Sequence, residues 1–230
     1  MERVRAKVLR DAMLIASKDL LIEARTREIV TTAGFFAALV AILTSVAFTE
    51  GANTTRRIAP GAIWIAVAFA SILALGRTWQ REREDSALLG LLVSPVRRSA
   101  LFLGKAVGVL AFVLVVEAIV VPIVALLFHV DLPQVGGALA IVLLLGTVGV
   151  AATGTLFGAM TVRTRARDLV LATVLFPLLS PTLLSGVAAT REIFSGAAIG
   201  ELRDYFVLLG AFDAVALVGG LTLFGALIDD

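Results

Sequence analysis

The sequence predicts an all-α integral membrane protein with six transmembrane helices. Three observations carry that prediction. Hydrophobic residues fill 59% of the 230 positions and charged residues only 17%, against about 25% charged in an average soluble domain. The apolar residues stand in uncharged blocks of about twenty, the length that crosses a hydrocarbon core of about 30 Å. Lysine and arginine gather in alternate loops.

Residues 1–28 hold seven Lys/Arg and five Asp/Glu and no apolar h-region. They read as an N-terminal cytoplasmic interfacial helix, not a signal peptide. Leu9, Met13, Ala16 and Leu20 share one face, and Lys7, Asp11, Lys18 and Arg25 the opposite one. Leu14 and Leu21 fall among the charges, as contacts for a partner or as further anchors in the lipid surface. Residues 29–230 read as one six-helix permease domain. Its first span is Ile29 to Phe48, followed by a polar loop from Thr49 to Arg57. The second is Ile58 to Gly76, with Pro60 placed for a first helical turn. The third runs from Ala100 to Phe128, with Lys105 near one end and Glu117 inside. The fourth is Val135 to Val162, the fifth Leu169 to Thr190 with Pro177 and Pro181, and the sixth Tyr205 to Ile228 with Asp213.

Between spans two and three lies the central loop, about residues 77–99. Leu88, Leu91 and Leu92 share one face of a short helix there, flanked by Arg77, Arg81, Arg83, Arg97 and Arg98 and stopped by Ser94 and Pro95. Such a helix rests on lipid headgroups or seats in a partner protein. Six spans put both termini on one side. That side, with the stretch from 77 to 105 and the 163–167 loop, carries sixteen Lys/Arg against four on the other. The positive-inside rule therefore places both termini in the cytoplasm.

Chemistry of the chain's own is sparse. There is no cysteine and one histidine, which excludes disulfides, thiolate sites and a multi-histidine metal or heme site within one copy. Gly104-Lys105 is followed by Ala106, and Ser99 stands where a phosphate loop needs its first glycine, so ATP hydrolysis is not expected of this chain. Glu117 and Asp213 are intramembrane acids, either lining a functional path or hydrogen-bonded at a helix interface. His129, at the outer end of span three, is a weak heme or metal candidate and otherwise a solvated loop residue. Gly104-x-x-x-Gly108 and Gly154-x-x-x-Gly158 permit close helix packing, within the chain or between copies.

The run from Ile58 to Val96, IAPGAIWIAVAFASILALGRTWQREREDSALLGLLVSPV, resembles the heme exporter protein B family. That family is the membrane subunit of the cytochrome c maturation ABC transporter, an ABC-2 type permease. LGTVGVAATGTLFGAMTVRTRARDLVL, from Leu145 to Leu171, and FPLLSP, from Phe176 to Pro181, carry the same resemblance. Departures are Gly76, where the family often has an acid, and Glu84-Asp85-Ser86-Ala87-Leu88-Leu89, which lacks the family's glycine and final glutamate.

The resemblance implies that Glu84, Asp85, Leu88, Leu91, Leu92, Ser94 and Pro95 form a coupling helix against a separate ABC ATPase subunit (CcmA-like) that supplies the missing phosphate loop. It also implies a second copy of this chain, heme-handling membrane subunits (CcmC-like, CcmD-like) and a heme chaperone (CcmE-like) at the bacterial inner membrane. No cofactor is expected on this chain. Heme is a possible cargo, ATP is used through the partner, and no nucleic acid is involved. Two other readings share the architecture: an ABC-2 permease for a lipid, glycan or drug, and a non-transporting membrane scaffold.

Overall fold

The computed structural model describes residues 2–48, 52–84, 90, 93, 95–161 and 167–229. Among them the chain is helical and without strands: α1 (Glu2–Thr26), α2 (Glu28–Ala47), α3 (Ala52–Glu84), α4 (Arg98–Leu127), α5 (Leu132–Thr161), α6 (Arg167–Phe194) and α7 (Arg203–Asp229). A 3₁₀ turn at Ile199–Leu202 leads into α7. Six stretches, one in each of α2 to α6 and one from that turn through α7, are long and apolar enough to span a membrane. Lipid offers no hydrogen-bond partners, so each span must close its own backbone ladder, and the helix does this within one segment.

Helices α3, α4 and α5 form the middle of the bundle. Helix α2 packs on α3 and α4, α6 on α3 and α5, and α7 on α4 and α5. Helix α3 is the most buried span, and α2 and α7 the least. Large side chains of one helix enter glycine notches of another. Trp64 of α3 fills the space that a Cβ at Gly146 or Gly186 would need; Leu75 does so at Gly154 and Trp79 at Gly158. The Gly154–Gly158 motif therefore serves packing within the chain. Trp64 Nε1 donates to Thr190 Oγ1 at 2.9 Å, satisfying an indole that is fully buried.

Pro60, Pro122, Pro177 and Pro181 sit inside continuous helices. Pro181 cannot donate to the carbonyl of Pro177; the hydroxyl of Ser180 donates to that oxygen instead, at 2.7 Å.

Two sequence expectations need correction. Helix α3 begins at Ala52, within the expected 49–57 loop, so Pro60 lies inside the helix and not in its first turn. At its other end α3 continues to Glu84, so the first third of the expected 77–99 loop is helix. The segment keeps its ladder beyond the apolar block because Arg77 and Arg81 find acidic partners. Helix α1 is docked in the bundle through Ala12, Ile15, Ala16, Asp19 and Glu23, while Leu9, Met13 and Leu20 of the expected apolar face are exposed. Small residues and neutralised acids allow closer approach than leucines. Of the two alternatives for Gly104-x-x-x-Gly108, the structure shows packing within the chain: α1 docks there on α4. A Cβ at Gly104 would meet Ala12 O and Ile15 Cβ at 2.7 Å.

Candidate functional site

The end of the bundle that carries both termini holds the densest set of charges. Helix α1 passes into α2 at Arg27, whose backbone is left-handed (φ 54°). Thr31 N still donates to Arg27 O at 3.0 Å, and Glu23 Oε1 accepts from Val30 N at 2.8 Å, capping the start of α2. The other oxygen of Glu23 meets Arg81 at 3.1 Å, and Arg81 also reaches Glu28 at 3.1 Å. Arg77 pairs with Glu28 at 2.9 Å. These four charges tie the α1–α2 corner to α3.

One turn away a second quartet is more deeply buried. Lys105 of α4, 1% exposed, donates to Asp19 Oδ2 of α1 at 2.7 Å and to Glu82 Oε1 of α3. Lys18 also donates to Glu82 Oε1, at 2.8 Å. Burial would lower the pKa of Lys18, but the Glu82 and Asp19 carboxylates outweigh it and hold the ammonium above its ordinary 10.5. The quartet sums to zero charge, which is what makes its burial tolerable. Beneath it Ile15, Trp79, Leu101, Phe102, Phe224 and Ile228 form an apolar cluster from α1, α3, α4 and α7. Phe102 and Phe224 stack with centroids 5.5 Å apart.

The quartet closes the base of the central segment. Glu82 stands two residues before the described end of α3, and Lys105 stands two turns into α4. Of the residues expected to contact a partner, Asp85, Leu88, Leu91, Leu92 and Ser94 lie outside the described residues, as does the side chain of Glu84. Gly90 and Pro95 are exposed, and Val93 is 89% exposed.

Comparison with known proteins decides the family. The family model described as CcmB protein matches residues 10–226. This chain belongs to the CcmB family. It is 31% identical over 167 residues to "Heme exporter protein B" of Bradyrhizobium diazoefficiens, covering 71% of this chain and 72% of that one. It is 32% identical over 165 residues to the protein of that name from Paracoccus denitrificans, covering 72% and 74%. The Pseudomonas aeruginosa protein of the same name is 26% identical over 206 residues, 90% of each chain.

The remaining candidates of this CcmB chain lie apart from the quartet and from one another. Glu117 is buried in α4 and accepts a hydrogen bond from Thr147 Oγ1 of α5. Asp213 is buried in α7 against Gly149 of α5, and its Oδ1 has no hydrogen-bond partner among the described residues. Thr147 and Gly149 are two positions apart, about 200° around a helix, so α5 separates the two acids. His129 is exposed and left-handed (φ 55°) in the turn after α4. Among the described residues no three His, Cys, Asp or Glu are grouped to hold a metal ion.

Sequence reasoning missed the quartet. Its signal was a lone lysine inside an apolar span, and an acid at 19 in register with Ala12, Ile15 and Ala16 on α1.

Proposed function

We propose that this chain is the permease subunit of an ABC transporter acting in heme handling for c-type cytochrome biogenesis. A separate ATPase subunit hydrolyses ATP, and the segment from Glu84 to Pro95 couples that cycle to the membrane helices. Two permeases and two ATPases form the working unit in the bacterial inner membrane, with both termini and the coupling segment cytoplasmic. The cycle serves heme transfer or the release of a heme-loaded chaperone from a neighbouring subunit. The single histidine, exposed in a turn, favours the second route. The observation that carries the proposal is the family match across residues 10–226, which runs through the coupling segment.

The test is Leu91→Asp together with Leu92→Asp. Burial of each leucine contributes about 1.5–3 kcal/mol, and two charges in a desolvated contact reverse that gain. The expected result is a normally inserted permease from which the ATPase no longer co-purifies, or on which ATP hydrolysis no longer supports cytochrome c maturation. Normal ATPase retention with normal maturation refutes the coupling role.

A further inference from the structure

We propose that Lys105 and Glu82 are positioning residues that clasp the two stems of the coupling segment, so that it moves as one body with α1, α3 and α4. The proposal rests on the reading of that segment as the ATPase contact. Three observations carry it.

The first is placement. Glu82 lies on the stem that enters the segment and Lys105 on the stem that leaves it, and they bond directly across 23 residues of chain. Asp19 and Lys18 add α1 to the same knot. A displacement of the segment therefore cannot reach α3 without also loading α4 and α1.

The second is burial. Lys105 is 1% exposed, Glu82 3% and Asp19 7%. Apolar side chains of similar size would fill such a position with equal or better stability, so a buried ion cluster is better suited to fixing one arrangement among several. Gly104 and Gly108 bring α1 close enough for Asp19 to reach Lys105; Asp19 Cβ lies 3.7 Å from where a Cβ at Gly108 would stand.

The third is incompleteness. Glu82 Oε2 and Thr78 Oγ1 are buried without a partner among the described residues. Both residues line a cavity of about 170 Å³ that Arg81 also borders. A purely structural ion cluster gains from satisfying every oxygen; here one carboxylate oxygen has no partner among the described residues and borders the cavity.

The test compares Lys105→Met with the double variant Glu82→Gln/Lys105→Met, each assembled with the ATPase subunit. Three quantities are read: ATPase co-purification, ATP hydrolysis rate and yield of matured c-type cytochrome. Lys105→Met leaves Glu82 and Asp19 with one cation fewer and is expected to lower the yield of folded permease. The double variant is again neutral, so folded yield and ATPase retention recover. Its cytochrome yield is nevertheless expected to stay about tenfold below wild type, the size of an ordinary coupling free energy, while ATP is still hydrolysed.

Wild-type maturation in the double variant overturns the proposal and leaves the cluster a structural feature. Loss of the ATPase from a well-folded double variant also overturns it, because the clasp would then build the docking surface, not transmit from it. The Leu91→Asp/Leu92→Asp variant is run in parallel. If it keeps both the ATPase and maturation, the coupling reading itself has failed, independently of what the clasp variants do.

Discussion

Lys18 shows how a surface charge becomes part of a fold. Its ammonium lies between Asp19 and Glu82, and the two carboxylates raise its pKa although burial opposes them. A raised lysine pKa contributes stability fully below the unfolded value. The contribution is lost as pH rises through the folded value, above 10.5. The Lys18 contribution to the packing of α1 is therefore expected to hold at neutral pH and to be lost in strong alkali. Trp79 packs in the same cluster as Ile15, so its fluorescence should shift to the red as pH rises above 10.5, and Lys18→Gln should lose this alkaline step. A shift at the same pH in both proteins contradicts the role of Lys18. Glu117 gives a second residue-scale expectation. Glutamine retains an acceptor for Thr147, so Glu117→Gln should keep assembly, whereas Glu117→Ala leaves a buried hydroxyl unpaired and should cost about 1–3 kcal/mol, read as a lower thermal midpoint. Sequence alone offered Glu117 no partner, because Thr147 is 30 residues away and hydroxyls in spans are common. The same difficulty hid Asp19 and Glu82: each has a cation near it in sequence, but the partner that buries it, Lys105, comes from another helix.

Helices in this bundle meet through notches, and glycines differ sharply in what they do. Gly146 and Gly186 both face the ring of Trp64, while Gly136 and Gly210 face open space. Alanine at either of the first two should destabilise by about 1–3 kcal/mol through overpacking. At Gly136 or Gly210 it should stabilise by up to about 1 kcal/mol through helix propensity. Thermal midpoints in one detergent compare the four variants directly; equal effects at all four would show that the notches carry no packing role. At Gly104 the obstruction is backbone, so Gly104→Val should lift α1 from α4. Ala16 is 2% exposed, so Ala16→Cys should react with a maleimide only when valine occupies position 104. The spans themselves were legible, because an uncharged block of twenty residues has few other fates. The ends of α3 were not: charge at Arg77 and Arg81 reads as loop until Glu23 and Glu28 are known to stand opposite. The docking face of α1 was not legible either, since Leu9 and Met13 mark an apolar face more strongly than Ala12 and Asp19 do.

At the scale of the whole molecule, Ile15 of α1 and Ile228 of α7 belong to one apolar cluster, so the first and last helices share one end of the bundle. The Lys/Arg distribution argues that this end is cytoplasmic. The chain has no native cysteine, so Lys7→Cys should react with an impermeant maleimide only from the cytoplasmic face and Ser195→Cys only from the opposite one. Labelling of both from one side rules out the six-span arrangement. The family and its architecture were legible from the runs at 58–96 and 145–171. The ion quartet at the base of the central segment became visible only with α1, α3 and α4 assembled. The central claim is that this segment seats in an ATPase and does not rest on lipid. Val93 is 89% exposed within it, so a photo-cross-linking residue at position 93 samples whatever covers the segment in membranes. The account predicts a cross-linked species containing the ATPase subunit, lost in the Leu91→Asp/Leu92→Asp background; cross-links to lipid alone, with the ATPase present and active, would contradict it.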